Sequence, residues 1–359
     1  MKFRTPRLEI NLRKIEENAT HIINLCHEKG IEVAGVTKVV TAHKGVVNAF
    51  INARVDCLAD SRLENLQALR KLETGIPLML LRIPSINQVQ SVVELADISL
   101  NSSMETIKQL SLAATALQRQ HKIILMVDLG DLREGVWPDR VIPILKEVSH
   151  LPAIEIIGLG CNLMCYGGVI PTHEKMQLLV DLRELCRRET GLRLPVLSGG
   201  NSANLPLVLN GDMPPEINQL RIGETILLGC SVIDRSPWPG TQQDTFKIVA
   251  EVVELERKPS IPIGLQGQDA FGGTPQFVDR GYRQRAICNI GRQDVVIDNL
   301  QPEDSGIIIL GGSSDHLILD VEDATQKIAL GQEISFIPGY AALLAANTSK
   351  YVRKVTVRK

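Results

Sequence analysis

Val33-Ala34-Gly35-Val36-Thr37-Lys38 sets the pattern for the first two-thirds of the chain. A short apolar run reads as a strand buried on both faces, and a polar or charged group follows it. Similar runs recur at Val55–Ala59, Pro77–Ile83, Ile98–Leu100, Ile123–Val127, Ile154–Leu159, Pro195–Leu197 and Ile217–Ile222. Between them lie stretches of helical period, clearest at Asn11–Glu28, Ser61–Leu72, Ser103–Gln118, Arg140–Val148 and Thr172–Arg187. Alternating strands and helices predict parallel pairing with the helices outside. About eight such strands is the count for a TIM-type (β/α)8 barrel. A doubly wound open sheet is the alternative, and no G-x-G-x-x-G fingerprint follows the first strand to favour it.

Near Ser236-Pro237-Trp238-Pro239-Gly240 the texture changes. The remainder is rich in Val, Ile, Gly, Pro and Asp, with little helical period. Strands are expected at Phe246–Glu256, Arg285–Ile290, Asp294–Ile297, Gly306–Leu310, Leu317–Val321 and Glu333–Ile337. The expected organisation is a barrel over residues 1–235 and a C-terminal all-β domain over 236–359. A length of 359 residues suits that pair, and 44% hydrophobic residues exclude a disordered chain. A net charge of −2 gives no footprint for nucleic acid. No apolar run reaches the ~18 residues of a membrane span. Seven cysteines without a C-x-x-C pair suggest neither a disulfide framework nor a zinc cluster. Met1–Arg7 lack an apolar export core, so a cytoplasmic location is expected.

In a barrel, reactive groups sit at the carboxyl ends of the strands. Lys38 ends the first strand. Partial desolvation there would free its amine for Schiff-base chemistry; a solvated lysine is the plain alternative. Ser198-Gly199-Gly200-Asn201-Ser202 ends the seventh. That turn either holds a phosphate or merely caps a helix through Asn201 or Ser202. Arg221 ends the eighth and needs an acceptor partner, unless it forms a structural ion pair with Asp128, Glu216 or Glu224. Together these groups suggest a phosphate-bearing aldehyde on a lysine, and pyridoxal phosphate is the economical candidate. An arginine at its pyridine nitrogen cannot give up a proton. The cofactor is then a weaker electron sink, which suits racemisation better than transamination.

With these residues assembled, the chain resembles the alanine racemase superfamily of fold-type III pyridoxal-phosphate enzymes, and more closely its alanine/ornithine racemase subgroup. The markers are Gly35-Val36-Thr37-Lys38-Val39-Val40, Ser198-Gly199-Gly200-Asn201-Ser202-Ala203-Asn204 and Leu220-Arg221-Ile222-Gly223-Glu224. The resemblance implies that Lys38 carries the cofactor and acts as one base, and that Arg221 bonds the pyridine nitrogen. It places Asn201, Ser202, Gly223 and Glu224 at the phosphate, after Ser198, and Tyr340 beside them. Arg133, in Asp128-Leu129-Gly130-Asp131-Leu132-Arg133-Glu134-Gly135, matches an arginine near the cofactor and the substrate carboxylate. Asn162 stands where the family has a ring-packing histidine. Ala42 and His43 replace a tyrosine after the lysine.

The resemblance also implies a head-to-tail homodimer in which a Gly-Tyr-x-Asp-Gly turn of the β-domain reaches the neighbouring site. The best match is Gly291-Arg292-Gln293-Asp294, with arginine in the tyrosine slot. The second base is thus unassigned among Tyr282, Cys288, Asp294, Asp315 and His316. Asp315 matches a turn near the site entrance, where a carboxylate would bind the distal ammonium of ornithine or lysine. The implied function is a racemase of basic amino acids. The competing readings are an alanine or broad-specificity racemase, a non-catalytic pyridoxal-phosphate homeostasis protein, a decarboxylase and a metal-assisted lyase.

Overall fold

Arg7–Asn11 form the first strand, β1, in which Leu8 and Ile10 are wholly buried. The computed structural model describes residues 4–357, so Met1–Phe3 of the segment expected to lack an export core lie outside the described residues. Eight parallel strands follow: β2 (Glu32–Val36), β3 (Cys57–Asp60), β4 (Leu78–Leu80), β5 (Ile98–Asn101), β6 (His121–Met126), β7 (Ile154–Gly160), β8 (Val196–Ser198) and β9 (Gln219–Ile222). They close as a barrel in sequence order, with β9 pairing back onto β2 through Ala34 and Arg221.

The apolar runs become strands because both of their faces are covered. Ala34, Val36, Ala59, Met79, Leu100, Ile124 and Met126 pack in one cluster. Ile123, Leu125, Leu159 and Leu197 pack in another with Met176, Leu179 and Val180 of the helix His173–Thr190. That two-sided burial erases the alternation of a half-exposed strand. All five expected helices are present. The helices Lys44–Asn52, Val89–Leu95, Leu205–Asn210 and Glu224–Leu228 were not foreseen; each has nine residues or fewer, too short for a clear period.

The second unit is a sheet of β1 with β10 (Phe246–Pro259), β11 (Tyr282–Cys288), β12 (Leu300–Pro302), β13 (Ile308–Gly312), β14 (Leu317–Asp320), β15 (Glu333–Pro338) and β16 (Arg353–Val357). One helix, Tyr340–Thr348, accompanies it. The contacts divide the chain into Arg13–Gln243 and a unit joining the N-terminal segment through Leu12 to Asp244 onward. The boundary thus falls eight residues after the expected one. β1 also leaves the barrel side, because its backbone pairs antiparallel with β10 and parallel with β16. The expected strand Asp294–Ile297 is a turn followed by a short 3-10 helix, Ile297–Asn299. The backbone N–H groups of Arg292 and Gln293 bond the carbonyls of Ser313 and Ser314 instead of a ladder.

One buried network makes the barrel acid-sensitive. His121, 1% exposed, shares a 2.7 Å hydrogen bond with Ser99 Oγ, which also accepts from Asn101 Nδ2 (2.9 Å). Ser99 can then donate to a neutral ring, and burial pushes the His121 pKa down to about 4. Below pH ~6.5 the unfolded chain takes up this proton and the folded chain does not. Stability is therefore lost as pH falls from about 6.5 toward 4, by about 3 kcal/mol in total. Chemical denaturation across this range should show a shallower pH slope for His121→Gln than for the wild type. Equal slopes would remove the assignment.

Candidate active site

Five adjoining strand ends, those of β6, β7, β8, β9 and β2, supply the site within the barrel unit. Arg221, on β9, is 5% exposed. Its Nη1 donates to Ser198 Oγ on β8. Its Nη2 donates to the Cys161 carbonyl (2.7 Å) just past β7 and to Asn162 Oδ1 (3.3 Å). Among the described residues Arg221 forms no ion pair with Asp128, Glu216 or Glu224, and its Nε makes no hydrogen bond. Burial draws its pKa down, yet a guanidinium keeps its proton at physiological pH.

The turn leaving β8 is crowded backbone. A Cβ on Gly199 would stand 2.7 Å from Ile217, and one on Gly200 (φ +132°) 2.6 Å from Asn204 Nδ2. Asn201 caps the 3-10 turn Ser202–Asn204 by accepting from the Ala203 N–H (2.8 Å). Its Nδ2 donates to the Leu163 carbonyl (2.8 Å) and to Asn162 Oδ1 (3.2 Å). The capping alternative is thus realised in the side chain of Asn201. Ser202 Oγ accepts the Thr225 N–H at 3.5 Å. Gly223 leads into the helix Glu224–Leu228, and a Cβ there would lie 2.9 Å from Val36 Cβ and 3.0 Å from its carbonyl oxygen.

Lys38 opens a 3-10 turn directly after β2 and is half-buried. The turn is tight, with Thr41 and Ala42 both left-handed (φ 49° and 53°). Thr37 Oγ1 donates to Asp60 Oδ2 at the end of β3 (2.7 Å). The other oxygen of Asp60 accepts from Asn65 (2.9 Å) and the Arg62 N–H (3.0 Å). Burial raises the Asp60 pKa, against those hydrogen bonds. Burial likewise raises Glu224, while the charges of Arg235 and Lys38 oppose the rise. Lys38 and Glu224 are therefore electrostatic neighbours.

Past β6, Arg133 donates from Nε and Nη2 to the two oxygens of Glu134, and from Nη1 to Cys165 Sγ. Burial works against the Arg133 charge, but Glu134 outweighs it and the pKa rises. Arg221 senses Glu134 and Arg133 with opposite signs. The barrel unit thus gathers Lys38, Asn162, Ser198, Asn201, Ser202, Arg221, Gly223, Glu224 and Arg133.

Asp315 and Tyr340 belong to the other unit. Asp315 is exposed between β13 and β14 and accepts from Gln293 Nε2 and Ser314 Oγ. Tyr340 starts the helix Tyr340–Thr348 and is half-buried. Two of the five second-base candidates have structural work instead. Cys288 is fully buried, with its pKa pushed up to about 12, and Asp294 is buried and accepts from Ser349 Oγ (2.7 Å). Tyr282 and His316 are exposed. The Gly291–Asp294 turn is packed, since a Cβ on Gly291 would lie 2.2 Å from the Ser314 carbonyl oxygen.

Residues 10–231 match the family model for the N-terminal domain of alanine racemase. This chain belongs to the alanine racemase family. An ornithine racemase of Acetoanaerobium sticklandii is 44% identical, across 97% of this chain and 99% of its own length. A lysine racemase of Thermotoga maritima is 40% identical, across 98% of both. Among solved structures, an alanine racemase from Bartonella henselae with covalently bound pyridoxal phosphate superposes with a TM-score of 0.74 at 17% identity, covering 98% of this chain and 99% of that one.

Within this family frame, three contributors escaped the sequence reading. Asp60 is a polar strand end like the others, and inspection of the second strand's end would have found it. Asn204 is fully buried and donates to the Gly199 carbonyl (3.1 Å), while its Oδ1 is buried without a partner. Glu134 directly follows Arg133, and its sequence position alone gives no sign that the two pair. Among the described residues no group of three or more His, Cys, Asp or Glu could hold a metal ion, and no helix is long and apolar enough to cross a membrane. Gly223→Ala would push the new methyl into the end of β2, one residue before Thr37. A loss of about 1–3 kcal/mol is expected, read as a lowered melting temperature together with weaker pyridoxal-phosphate binding. An unchanged Tm would show that β2 yields.

Proposed function

We propose that this chain is a pyridoxal-phosphate-dependent racemase that interconverts the L and D forms of a basic amino acid, ornithine or lysine ahead of alanine. The observation that carries it is Arg221, a buried guanidinium with both terminal nitrogens engaged and Nε left over. Such a group donates to a ring nitrogen and does not give it a proton. The chain fits the cofactor on further counts. Gly199, Gly200 and Gly223 leave backbone where a side chain would intrude, and the buried Oδ1 of Asn204 lacks a partner. Lys38 would hold the aldehyde carbon, Arg221 the pyridine nitrogen, and Ser202 with the backbone of Asn201, Gly223 and Glu224 the phosphate. Ser198 and Asn162 hold Arg221 in place, and Tyr340 remains a proposed phosphate contact.

Pyridoxal phosphate, when bound, supplies an electron sink that acidifies the substrate's α-hydrogen. The protein's residues do the rest. Lys38 takes or returns the proton on one face of the α-carbon. Three of the five N–H groups of Arg133 are engaged by Glu134 and Cys165. One N–H on Nη1 and one on Nη2 are left over to donate to the substrate's α-carboxylate. On the opposite face, Tyr282, Asp315 and His316 are the expected candidates still exposed.

The proposed assembly is a head-to-tail homodimer in which the β-rich unit completes the partner's site. Its support within that unit is the connection between β10 and β11, which exposes Ile263, Leu265, Phe271 and Val278. Seven free thiols support a cytoplasmic setting.

The test mixes purified protein, pyridoxal phosphate and each L-amino acid in D2O. Ornithine or lysine should lose its α-proton and its optical rotation together. Lys38→Ala should lower both rates by about 10³-fold or more, and borohydride should fix a pyridoxyl label on Lys38 of the wild type. Exchange without loss of rotation, or no exchange with any amino acid, overturns the racemase reading.

A further inference from the structure

We propose that Glu134 reads the distal ammonium of a dibasic amino acid, which makes it a specificity-determining residue of this site. The inference rests on the racemase reading above and names the group that selects the substrate class.

The loop that carries Glu134 is pinned. After β6 it doubles back, so that the Asp128 N–H bonds the Val136 carbonyl (3.0 Å) and the Val136 N–H bonds the Met126 carbonyl (2.8 Å). Gly135 makes the return at φ +141°, where a Cβ would stand 2.4 Å from the Asp128 nitrogen. The Asp128 carboxylate accepts from the N–H groups of Gly130 (2.8 Å) and Leu132 (3.2 Å). The buried carboxylate of Asp131 ties this loop to the one after β7, through the N–H groups of Tyr166 (3.0 Å) and Val169 (3.2 Å). Glu134 therefore sits at a fixed place beside Arg133, and its side chain is only 17% exposed.

The charges of the site give the carboxylate a purpose. The proposed ligands are anionic: a phosphate and an α-carboxylate. Lys38, Arg133 and Arg221 suit them. Glu134 opposes them, because it offsets the charge of the arginine meant for the α-carboxylate. An amino acid with a neutral side chain gains nothing from that group. A substrate that brings a second ammonium turns the same charge into an attraction, strengthened where water is largely excluded. Each Glu134 oxygen accepts one N–H from Arg133, and a carboxylate oxygen can accept a second. Asp315, by contrast, is exposed and has both oxygens engaged by Gln293 and Ser314 within its own turns.

The experiment compares ornithine with norvaline, the same carbon chain without the terminal amine, on the cofactor-loaded enzyme. Both kcat/KM and calorimetric Kd are measured. Glu134→Gln should weaken ornithine by about 10- to 100-fold, mainly in KM and Kd, and should leave norvaline unchanged or improved. Glu134→Asp, which keeps the charge but withdraws it by one methylene, should shift preference from ornithine toward the longer lysine. It also stands in if the glutamine variant does not fold. Asp315→Asn should leave the ornithine-to-norvaline ratio as it is. Equal losses for both ligands in Glu134→Gln would mean that Glu134 only positions Arg133, and the proposal falls. It falls equally if Glu134→Asp leaves the preference unmoved, or if Asp315→Asn alone shifts the ratio. Should the wild type racemise nothing, the racemase reading fails, while the Kd comparison still decides the role of Glu134.

Discussion

A guanidinium enclosed by neutral acceptors governs the architecture of the barrel's carboxyl end. Taking Arg221 out of water costs several kcal/mol unless its N–H groups are met. Ser198 Oγ, the Cys161 carbonyl and Asn162 Oδ1 meet them. These partners come from β8 and from the chain just past β7, while Arg221 itself lies on β9. The ends of three neighbouring strands must therefore keep their register. Asn162 adds a second link, since it also accepts from Asn201 and so joins Arg221 to the turn after β8. The absence of a carboxylate among these partners keeps Arg221 a donor with a free Nε rather than half of an ion pair.

Acidic residues elsewhere in the barrel illustrate how poorly residue type alone reports chemistry. Asp60, Asp128 and Asp131 all sit at or just past strand ends, where a catalytic acid would be sought. Each instead accepts backbone N–H groups and fixes a loop. Asp60 also holds Thr37, the residue before Lys38. Glu134 and Glu224 differ because their partners are charged groups of the site: Arg133 for one, Arg235 and Lys38 for the other. That contrast separates carboxylates that build the rim from carboxylates that shape its field.

The barrel was legible because its strands are buried on both faces and read as continuous apolar runs, each ending in a polar group. All eight were located, most to within two residues. The β-rich unit was less legible. β1 directly precedes a long helix and by sequence belongs with the barrel, although its hydrogen-bonding partners lie more than 230 residues away in sequence. Asp294–Ile297 has the composition of a strand, but the neighbouring Ser313–Asp315 turn captures the N–H groups just before it. Lys38, Arg221 and the glycine-rich turn were visible as strand-end chemistry; Glu134 was not, because nothing in its own sequence shows that Gly135 folds it back.

The sequence by itself determined the barrel, the lysine that crowns its first strand and the arginine on its last, since apolar periodicity and strand-end position are local properties. Only the tertiary structure decided which acceptors surround Arg221, which aspartates are loop pins and which unit owns the first strand. Those outcomes depend on hydrogen bonds between residues distant in the chain, and local pattern holds no record of such partners.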